Sequence, residues 1–139
     1  MKLTTKKTLN TVSDLELLPI LVALKNTIYL IVLLYRPPTS SIPLFLQSLQ
    51  IELDQLRQQI DSINYSIVIL GDFNLPDNRN DLNEVLPPNI YYQRCQDPTH
   101  IDGNTLDLIF DDHCNKPAEW MPSPYSDHFT VFVDLALDD

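Results

Sequence analysis

Four groups of polar residues in this sequence carry side chains suited to acid–base or phosphate chemistry, and each stands at or beside a predicted strand. In chain order they are Tyr35, Asp72 with Asn74, Asp107, and Ser126-Asp127-His128. In layered α/β proteins, polar residues at strand ends converge at one rim of the sheet, which is a common place for binding and catalytic sites. We therefore expect a single site at one rim, built from all four groups.

Asp107 needs a partner, because it stands between leucines in the apolar run 105–110. A carboxylate in a buried strand is costly unless it is paired or hydrogen-bonded. His128 is a natural partner, since an Asp–His pair fixes the imidazole tautomer and holds the ring as a base or as a stabilising cation. A buried hydrogen-bonded pair with no catalytic role is the alternative, and both interpretations stay open.

A hairpin and one long helix are the clearest predicted elements. Residues 17–24 and 27–35 are β-rich runs joined by a short Lys-Asn turn, which predicts an antiparallel hairpin. The second run is almost continuously apolar, which predicts burial on both faces. Ser40 or Ser41 can cap a helix with Pro43 in its first turn. The apolar stripe of this helix recurs at steps of three or four residues: Phe45, Leu49, Leu53, Leu56, Ile60 and Ile63.

Shorter apolar segments predict the remaining elements. These are strands at 66–70, 90–94, 105–110 and 129–137, and a short helix at 82–86. Strands alternating with one long helix indicate an α/β fold, with parallel and antiparallel pairing both left open. Residues 1–16 are polar and largely unpatterned, so we expect an N-terminal arm followed by one domain over residues 17–139.

Charge and cysteine content narrow the classes of function. The chain has 9 Lys and Arg against 19 Asp and Glu, and its net charge of −10 disfavours tight binding to nucleic acid. Clustered carboxylates can still hold a cation. Cys95 and Cys114 are too few for a disulfide framework and predict free thiols in an intracellular compartment, nuclear or cytoplasmic. We expect no membrane partner, because a spanning helix needs about 20 apolar residues and the apolar runs 17–24 and 28–34 are each too short.

The polar groups belong to longer motifs that occur in a fixed order. They are Tyr35-Arg36-Pro37-Pro38, Gly71-Asp72-Phe73-Asn74, Asp97-Pro98-Thr99-His100 with Gly103-Asn104-Thr105-Leu106-Asp107-Leu108-Ile109, and Ser126-Asp127-His128. This series resembles the C-terminal part of the endonuclease/exonuclease/phosphatase superfamily, and most closely the endonuclease domain of LINE-type (non-LTR) retrotransposons. The resemblance implies a partial α/β sandwich, in which mixed sheets pack face to face with helices outside.

The resemblance also implies a reaction, the Mg²⁺-dependent cleavage of DNA, with Mn²⁺ as a possible substitute. The ion would polarise a phosphoryl oxygen and steady the leaving group. By the family pattern, Asp72 would orient or deprotonate the attacking water. Asn74 would hold the scissile phosphate, and Tyr35 would donate a hydrogen bond to it.

The remaining site residues also acquire expected roles from the resemblance. Asp107 would pair with His128, and His128 would stabilise charge on the phosphoryl group. Asp127 would contribute to the metal site. Thr99 and Ser126 would be further substrate contacts. His100 and His113 match no family role, and we expect both of them on the solvated surface.

The chain departs from the family pattern before Tyr35. Family members carry a metal-associated Asn and a metal-ligand Glu upstream of this strand, whereas the 34 residues before Tyr35 are largely taken up by the hairpin. The glutamates lie beside the first strand, on the long helix and in two loop regions: Glu16, Glu52, Glu84 and Glu119. We therefore expect a domain without its N-terminal part, with an incomplete metal site and weak or no activity.

Three hypotheses about function stay open. The chain is a competent Mg²⁺-dependent nuclease, or a retrotransposon-derived domain with a vestigial site, inert or reused as a protein-binding module. The third hypothesis is a half-domain completed by a partner chain or by self-association, because a missing half would expose sheet edges and apolar surface. Among enzymes, the phosphatases and lipid-headgroup hydrolases of the same superfamily are the alternative class.

Overall fold

A six-stranded mixed sheet is the centre of the structure, a computed structural model that describes residues 3–8, 15–75, 80–113 and 116–135. The elements of this described part are β1 (Leu3–Thr8), β2 (Leu17–Leu24), β3 (Thr27–Tyr35), α1 (Ile42–Gln59), β4 (Ser66–Asp72), α2 (Leu82–Val85), β5 (Tyr92–Gln93), β6 (Asp107–Asp111), β7 (Glu119–Met121) and β8 (Thr130–Phe132). The strand order in the large sheet is β1-β2-β3-β4-β6-β5, and β7 pairs with β8 in a second sheet. Strands β3 and β4 are parallel, and all other neighbouring pairs are antiparallel.

The hairpin and the crossover helix form as the sequence predicts. Strand β2 pairs with β3 without interruption, from Leu17 opposite Leu34 to Leu24 opposite Thr27. Helix α1 then connects β3 to its parallel neighbour β4, a connection that parallel strands require. Ser41 is the N-cap of α1, and its hydroxyl accepts a hydrogen bond from the Leu44 amide at 3.5 Å.

Helix α1 covers one face of the large sheet. Its predicted apolar stripe is buried from Phe45 to Leu56, and Ile60 is buried at the C-cap. These side chains pack against the β3 residues Leu30, Val32 and Leu34 in the main hydrophobic core. Ile63 lies beyond the end of the helix and is only partly buried against this core.

The small sheet lies against the opposite face of the large sheet. Val131, beside Ala118, packs there against Tyr29, Val68 and Ile109, the buried residues of a second apolar cluster. The predicted fold class, a partial α/β sandwich of mixed sheets with the main helix outside, is confirmed. Among the helices of the described residues, none is long and apolar enough to cross a membrane.

Burial on both faces of β3 is correct for only part of the strand. The side chains of Leu33 and its cross-strand partner Leu18 are 38% and 44% exposed. Both lie on the face that receives the small sheet, since they share the register parity of Tyr29. The apolar cluster beneath the small sheet includes Tyr29 and Ile31 of β3 but neither Leu18 nor Leu33, which are left less covered.

Several boundaries differ from the sequence-based expectation. Residues 3–8 form the edge strand β1 instead of an unpatterned arm, which agrees with the strand preference of threonine and the frequency of lysine at sheet edges. Within the described residues the last strand is Thr130–Phe132 and lies in the small sheet, while positions 136–137 of the expected strand lie outside the described residues. Glu119 lies in β7, not in a loop, whereas Glu84 lies in α2, the short helix predicted at 82–86.

Candidate active site at the rim of the sheet

Three neighbouring strands place Tyr35, Asp72 and Asp107 in one row. Tyr35 is in register with Asp72, and Asp72 is in register with Asp107. Residues in register share a face of the sheet, so all three side chains project from the face opposite α1. Glu16, just before β2, extends the row, because its carbonyl accepts a hydrogen bond from the Tyr35 amide at 2.9 Å. These residues stand at the ends of their strands, at one rim of the sheet, as the sequence predicts.

His128 lies over this row and contacts three carboxylates. Its Nδ1 is 2.8 Å from Asp107 Oδ2, so the expected Asp–His pair is present. Its Nε2 is 3.8 Å from Asp72 Oδ2 and 4.0 Å from Asp127 Oδ1. The fold therefore holds one imidazole between two aspartates of the sheet and one aspartate of its own loop.

The carboxylates change the ionisation of the site. Burial alone would lower the pKa of His128, but the hydrogen bond to Asp107 and the charges of Asp107, Asp72 and Asp127 outweigh it, so the pKa is raised above 6.5. Burial and then the neighbouring charge of Asp107 raise the pKa of Asp72, although the Asn74 amide opposes this shift. The site thus favours the protonated form of His128, and it places this cation beside Asp72, a carboxylate that accepts a proton more readily than a free aspartate does.

A sharp turn fixes Asp72 and Asn74. Asp72 Oδ1 accepts a hydrogen bond from the Asn74 amide at 3.1 Å, and Asn74 has a left-handed backbone with φ of 45°. Before the turn, a Cβ at Gly71 would lie only 1.8 Å from the Leu34 carbonyl oxygen. Glycine is therefore required where β4 approaches β3 most closely.

Arg36 locks this turn, a role that the sequence did not indicate. Its side chain is 3% exposed, and its Nη1 donates a hydrogen bond to the Asn74 carbonyl at 2.6 Å. In return, Asn74 Nδ2 donates to the Arg36 carbonyl at 2.8 Å. The Arg36 amide donates to the Asp72 carbonyl at 2.8 Å. Arg36 is thus a positioning residue for both members of the turn.

Thr99 and Ser126 have different environments. Thr99 is 2% exposed, and its hydroxyl accepts hydrogen bonds from the amides of Leu106 and Asp107 at 3.0 and 2.9 Å. Thr99 thus fixes the backbone at Asp107, and its expected substrate contact stays a prediction. Ser126 is exposed at the rim, where its hydroxyl accepts a hydrogen bond from the His128 amide at 3.1 Å.

His100 is part of the site, so its expected place on the solvated surface is wrong. Its side chain is 13% exposed, and its Nε2 is 3.1 Å from Asp127 Oδ2. The hydrogen bond from His100 is the main cause of the lowered pKa of Asp127. A backbone bridge joins His100 to His128, and their rings meet edge to face with centroids 5.0 Å apart. His113, in contrast, is exposed as expected.

The donor chemistry of the rim fits a divalent cation. One ligand atom from each of Asp72, Asp107 and His128 lies within 4.8 Å of the others, and the same is true of His100, Asp127 and His128. Two partly buried, mutually repelling carboxylates at the first group would be stabilised by a positive ion. All four glutamates are in the described part of the chain, and Glu16 is the one that lies in the row beside Tyr35.

Structural comparison relates this architecture to known proteins, although no family model and no curated protein sequence matches the chain. One similar structure is the endonuclease domain of TRAS1, a telomere-specific non-LTR retrotransposon, with 15% identity, a TM-score of 0.61, and coverage of 82% of this chain and 58% of that domain. Another is the human Nocturnin catalytic domain with bound sulfate anion, with 14% identity, a TM-score of 0.59, and coverage of 94% of this chain and 60% of that domain. An endonuclease/exonuclease/phosphatase family protein from Bacteroides thetaiotaomicron is also similar, with 12% identity and a TM-score of 0.56. The match covers 83% of this chain and 53% of that protein.

These likenesses establish the fold. The chain has the architecture of the endonuclease/exonuclease/phosphatase structures, a retrotransposon endonuclease domain among them, as the motif series implied. The chain spans 53–60% of the length of these three solved structures.

Proposed function

We propose that the rim is a divalent-metal-dependent phosphodiester hydrolysis site of retrotransposon origin, which acts on DNA with weak turnover. The observation that carries the proposal is His128, held by Asp107 at 2.8 Å with its Nε2 directed toward Asp72 and Asp127. A cationic imidazole beside a carboxylate base is a combination that phosphate chemistry uses. The motif series and the likeness to the TRAS1 endonuclease domain support the choice of substrate and origin.

Each rim residue would have a defined part in this reaction. Asp72 accepts a proton from the attacking water or orients it, and its raised pKa makes it a stronger base than an ordinary aspartate. Protonated His128 donates from Nε2 to the charged phosphoryl oxygens. Asn74 and Tyr35, which is 41% exposed, contact the scissile phosphate. Asp127 and Asp72 would hold a divalent ion, which would supply Lewis-acid activation when bound.

Weak turnover and weak DNA binding are both part of the proposal. The net charge of −10 repels a polyanion, so affinity depends on the bound cation more than on basic side chains. The glutamate that the family pattern places at the metal is expected to be missing, and Glu16, exposed and just before β2, is the glutamate that lies opposite Tyr35. Mg²⁺ needs near-octahedral oxygen coordination, which a ligand set of aspartates with one exposed glutamate supplies poorly.

Nicking of supercoiled plasmid in Mg²⁺ or Mn²⁺ tests the proposal. The parent protein is compared with Asp72→Asn, His128→Gln and, as a matched control at an exposed histidine, His113→Gln. We expect slow nicking by the parent and by the control, and none above background by the two site variants. Equal background in all four proteins would refute the proposal, and so would faster hydrolysis of a phosphomonoester than of a phosphodiester.

A further inference from the structure

We propose that His100, Asp127 and His128 form a binding site for a first-row transition-metal ion of the Zn²⁺ class, held by two imidazoles and one carboxylate. The motif series gives His100 no role, whereas the structure brings it to the same rim as the other two residues. The proposed ligands are His100 Nε2, His128 Nε2 and the carboxylate of Asp127. The inference rests on local geometry and chemistry, independently of any hydrolytic activity.

The ligand atoms are already at nearly the spacing that such an ion needs. Zn–N and Zn–O bonds of about 2.0–2.1 Å in tetrahedral geometry put neighbouring ligand atoms about 3.3 Å apart. His100 Nε2 lies 3.1 Å from Asp127 Oδ2, and His128 Nε2 lies 4.0 Å from Asp127 Oδ1. One ligand atom from each of the three residues lies within 4.8 Å of the others. Small side-chain rotations are therefore enough to close the site around an ion.

Each imidazole also has an acidic partner at its other nitrogen. His128 Nδ1 is 2.8 Å from Asp107 Oδ2, and His100 Nδ1 is 3.4 Å from Asp102 Oδ2, although it accepts a hydrogen bond from the Asp102 amide at 3.2 Å. Metal-ligating histidines usually donate this second N–H to a carboxylate or carbonyl, which fixes the tautomer and makes the ligand more basic. On metal binding, the proton that His100 Nε2 shares with Asp127 would move to Nδ1, which would then donate to the Asp102 carboxylate instead of accepting from the Asp102 amide.

The backbone holds the three ligands in place. They come from two segments joined by hydrogen bonds on both sides of the ligands. The Ile101 amide donates to the Asp127 carbonyl at 2.9 Å, and the Phe129 amide donates to the Thr99 carbonyl at 2.7 Å. Binding therefore orders few additional groups, which favours affinity.

The ligand set selects against Mg²⁺. Imidazole suits Zn²⁺, Cu²⁺, Ni²⁺ and Fe²⁺, whereas Mg²⁺ prefers oxygen ligands in a strict octahedron. Three protein ligands leave a further coordination position, and the Asp127 side chain is 61% exposed, so water or a phosphate oxygen can reach it. An ion here occupies His128 Nε2, the atom that the proposed hydrolysis needs, so Zn²⁺ is expected to inhibit any Mg²⁺-dependent nicking.

Titration with Zn²⁺ alone tests the inference. The chelator-treated, reduced parent protein is titrated by calorimetry beside His100→Asn, Asp127→Asn and the exposed control His113→Asn. We expect the two site variants to bind at least about 10-fold more weakly, since loss of a residue that only orients a metal ligand already costs about 10–100-fold. The control should match the parent. Visible spectra with Co²⁺ should show a tetrahedral band that is lost in both site variants, and a large excess of Mg²⁺ should not displace Zn²⁺.

The outcomes separate this inference from the proposed function. Equal Zn²⁺ affinity in the parent and both site variants would overturn it, as would displacement of Zn²⁺ by Mg²⁺ at comparable concentration. Binding at Cys114, which all variants share, would give that same equality. Asp127 is largely exposed, so Asp127→Asn keeps the test valid if His100→Asn does not fold. A protein that binds Zn²⁺ as expected but never nicks DNA would retain this inference and lose the proposed function.

Discussion

His128 owes its chemistry to the carboxylates around it. Burial of the ring alone would favour the neutral form, but the hydrogen bond to Asp107 and the charges of Asp107, Asp72 and Asp127 raise its pKa above 6.5. Near neutral pH the ring therefore carries more positive charge than a free histidine does. Of these carboxylates, Asp107 alone forms a hydrogen bond with the ring, so its removal should have the largest effect.

Substitution Asp107→Asn should lower the pKa of His128, because the amide oxygen still accepts from Nδ1 but carries no charge. The raised folded-state pKa stabilises the parent fully below about pH 6.5, the unfolded value, and this stabilisation is lost as pH rises through the folded value. The variant should lose less stability over the same pH range. NMR titration of the imidazole and urea unfolding at pH 6 and pH 8 measure both effects. An unchanged pKa would contradict the assigned cause.

Arg36 should matter to stability more than an exposed cation does. Its guanidinium is buried and donates to the carbonyls of Asn74 and Ser40. Arg36→Met leaves these acceptors without their donor, and a hydrogen bond to a charged group contributes about 1.5–3 kcal/mol. We expect the free energy of unfolding to fall by roughly 2–4 kcal/mol, measured by urea denaturation.

The exposed Lys116→Met is the control for Arg36→Met, with an expected change within about 0.5 kcal/mol. Similar effects of the two substitutions would contradict the positioning role of Arg36. The backbone amide signal of Asn74 in NMR spectra provides a second check, since the left-handed backbone of this residue depends on the same contacts. The signal should shift in Arg36→Met and stay in place in the control.

At the scale of elements, the β3–α1–β4 unit brings Tyr35 and Asp72 together, and Gly71 permits this parallel pairing. A Cβ at position 71 would lie 1.8 Å from the Leu34 carbonyl oxygen, and the φ of 151° is itself rare for other residues. Gly71→Ala should therefore push β4 from β3 and destabilise the protein more than an ordinary glycine substitution.

Gly103→Ala is the matched control, because its backbone also has positive φ but no atom lies within 4 Å of the added Cβ. The control should cost about 1 kcal/mol from backbone strain alone, and Gly71→Ala should cost at least about 2 kcal/mol more through overpacking. Thermal unfolding of both variants measures the difference. Equal melting temperatures would show that β3 and β4 accommodate the added Cβ without a cost in stability.

The sequence predicted the elements whose signals are local. The hairpin follows from two apolar runs around Lys25-Asn26, and α1 follows from its stripe and its Ser41 cap. Strand ends also correctly predicted the row of Tyr35, Asp72 and Asp107. All of these inferences use residues close together in the chain or at the ends of clear strands.

The missed features depend on distant contacts. His100 reaches the site only because the loop after Thr99 pairs with residue 128, and Glu16 reaches the rim only through the register of β2 with β3. Arg36 is distinguished from a surface arginine by its contact with Asn74, 38 positions away. Strand β7 is three exposed residues long and has no apolar periodicity to indicate it.

At the scale of the whole molecule, net charge opposes self-association and exposed apolar surface favours it. The net charge of −10 makes copies of the chain repel each other. The cross-strand pair Leu18 and Leu33 nevertheless leaves apolar surface exposed on β2 and β3, next to Tyr35. In the described part of the chain, the apolar cluster beneath the small sheet includes Tyr29 and Ile31 of β3 but not Leu18 or Leu33.

We expect self-association through this face, increasing with ionic strength. Salt screens the repulsion between copies, with a Debye length that falls from about 30 Å at 0.01 M to about 8 Å at 0.15 M, while burial of leucine is not screened. Sedimentation velocity over a range of protein concentrations should show a larger dimer fraction at high salt. Leu18→Thr with Leu33→Thr should abolish it, whereas Leu44→Thr, at a 63% exposed position on α1, should not. A monomer under all conditions, including high salt, would contradict the expectation and show that burial of this apolar surface does not offset the cost of association.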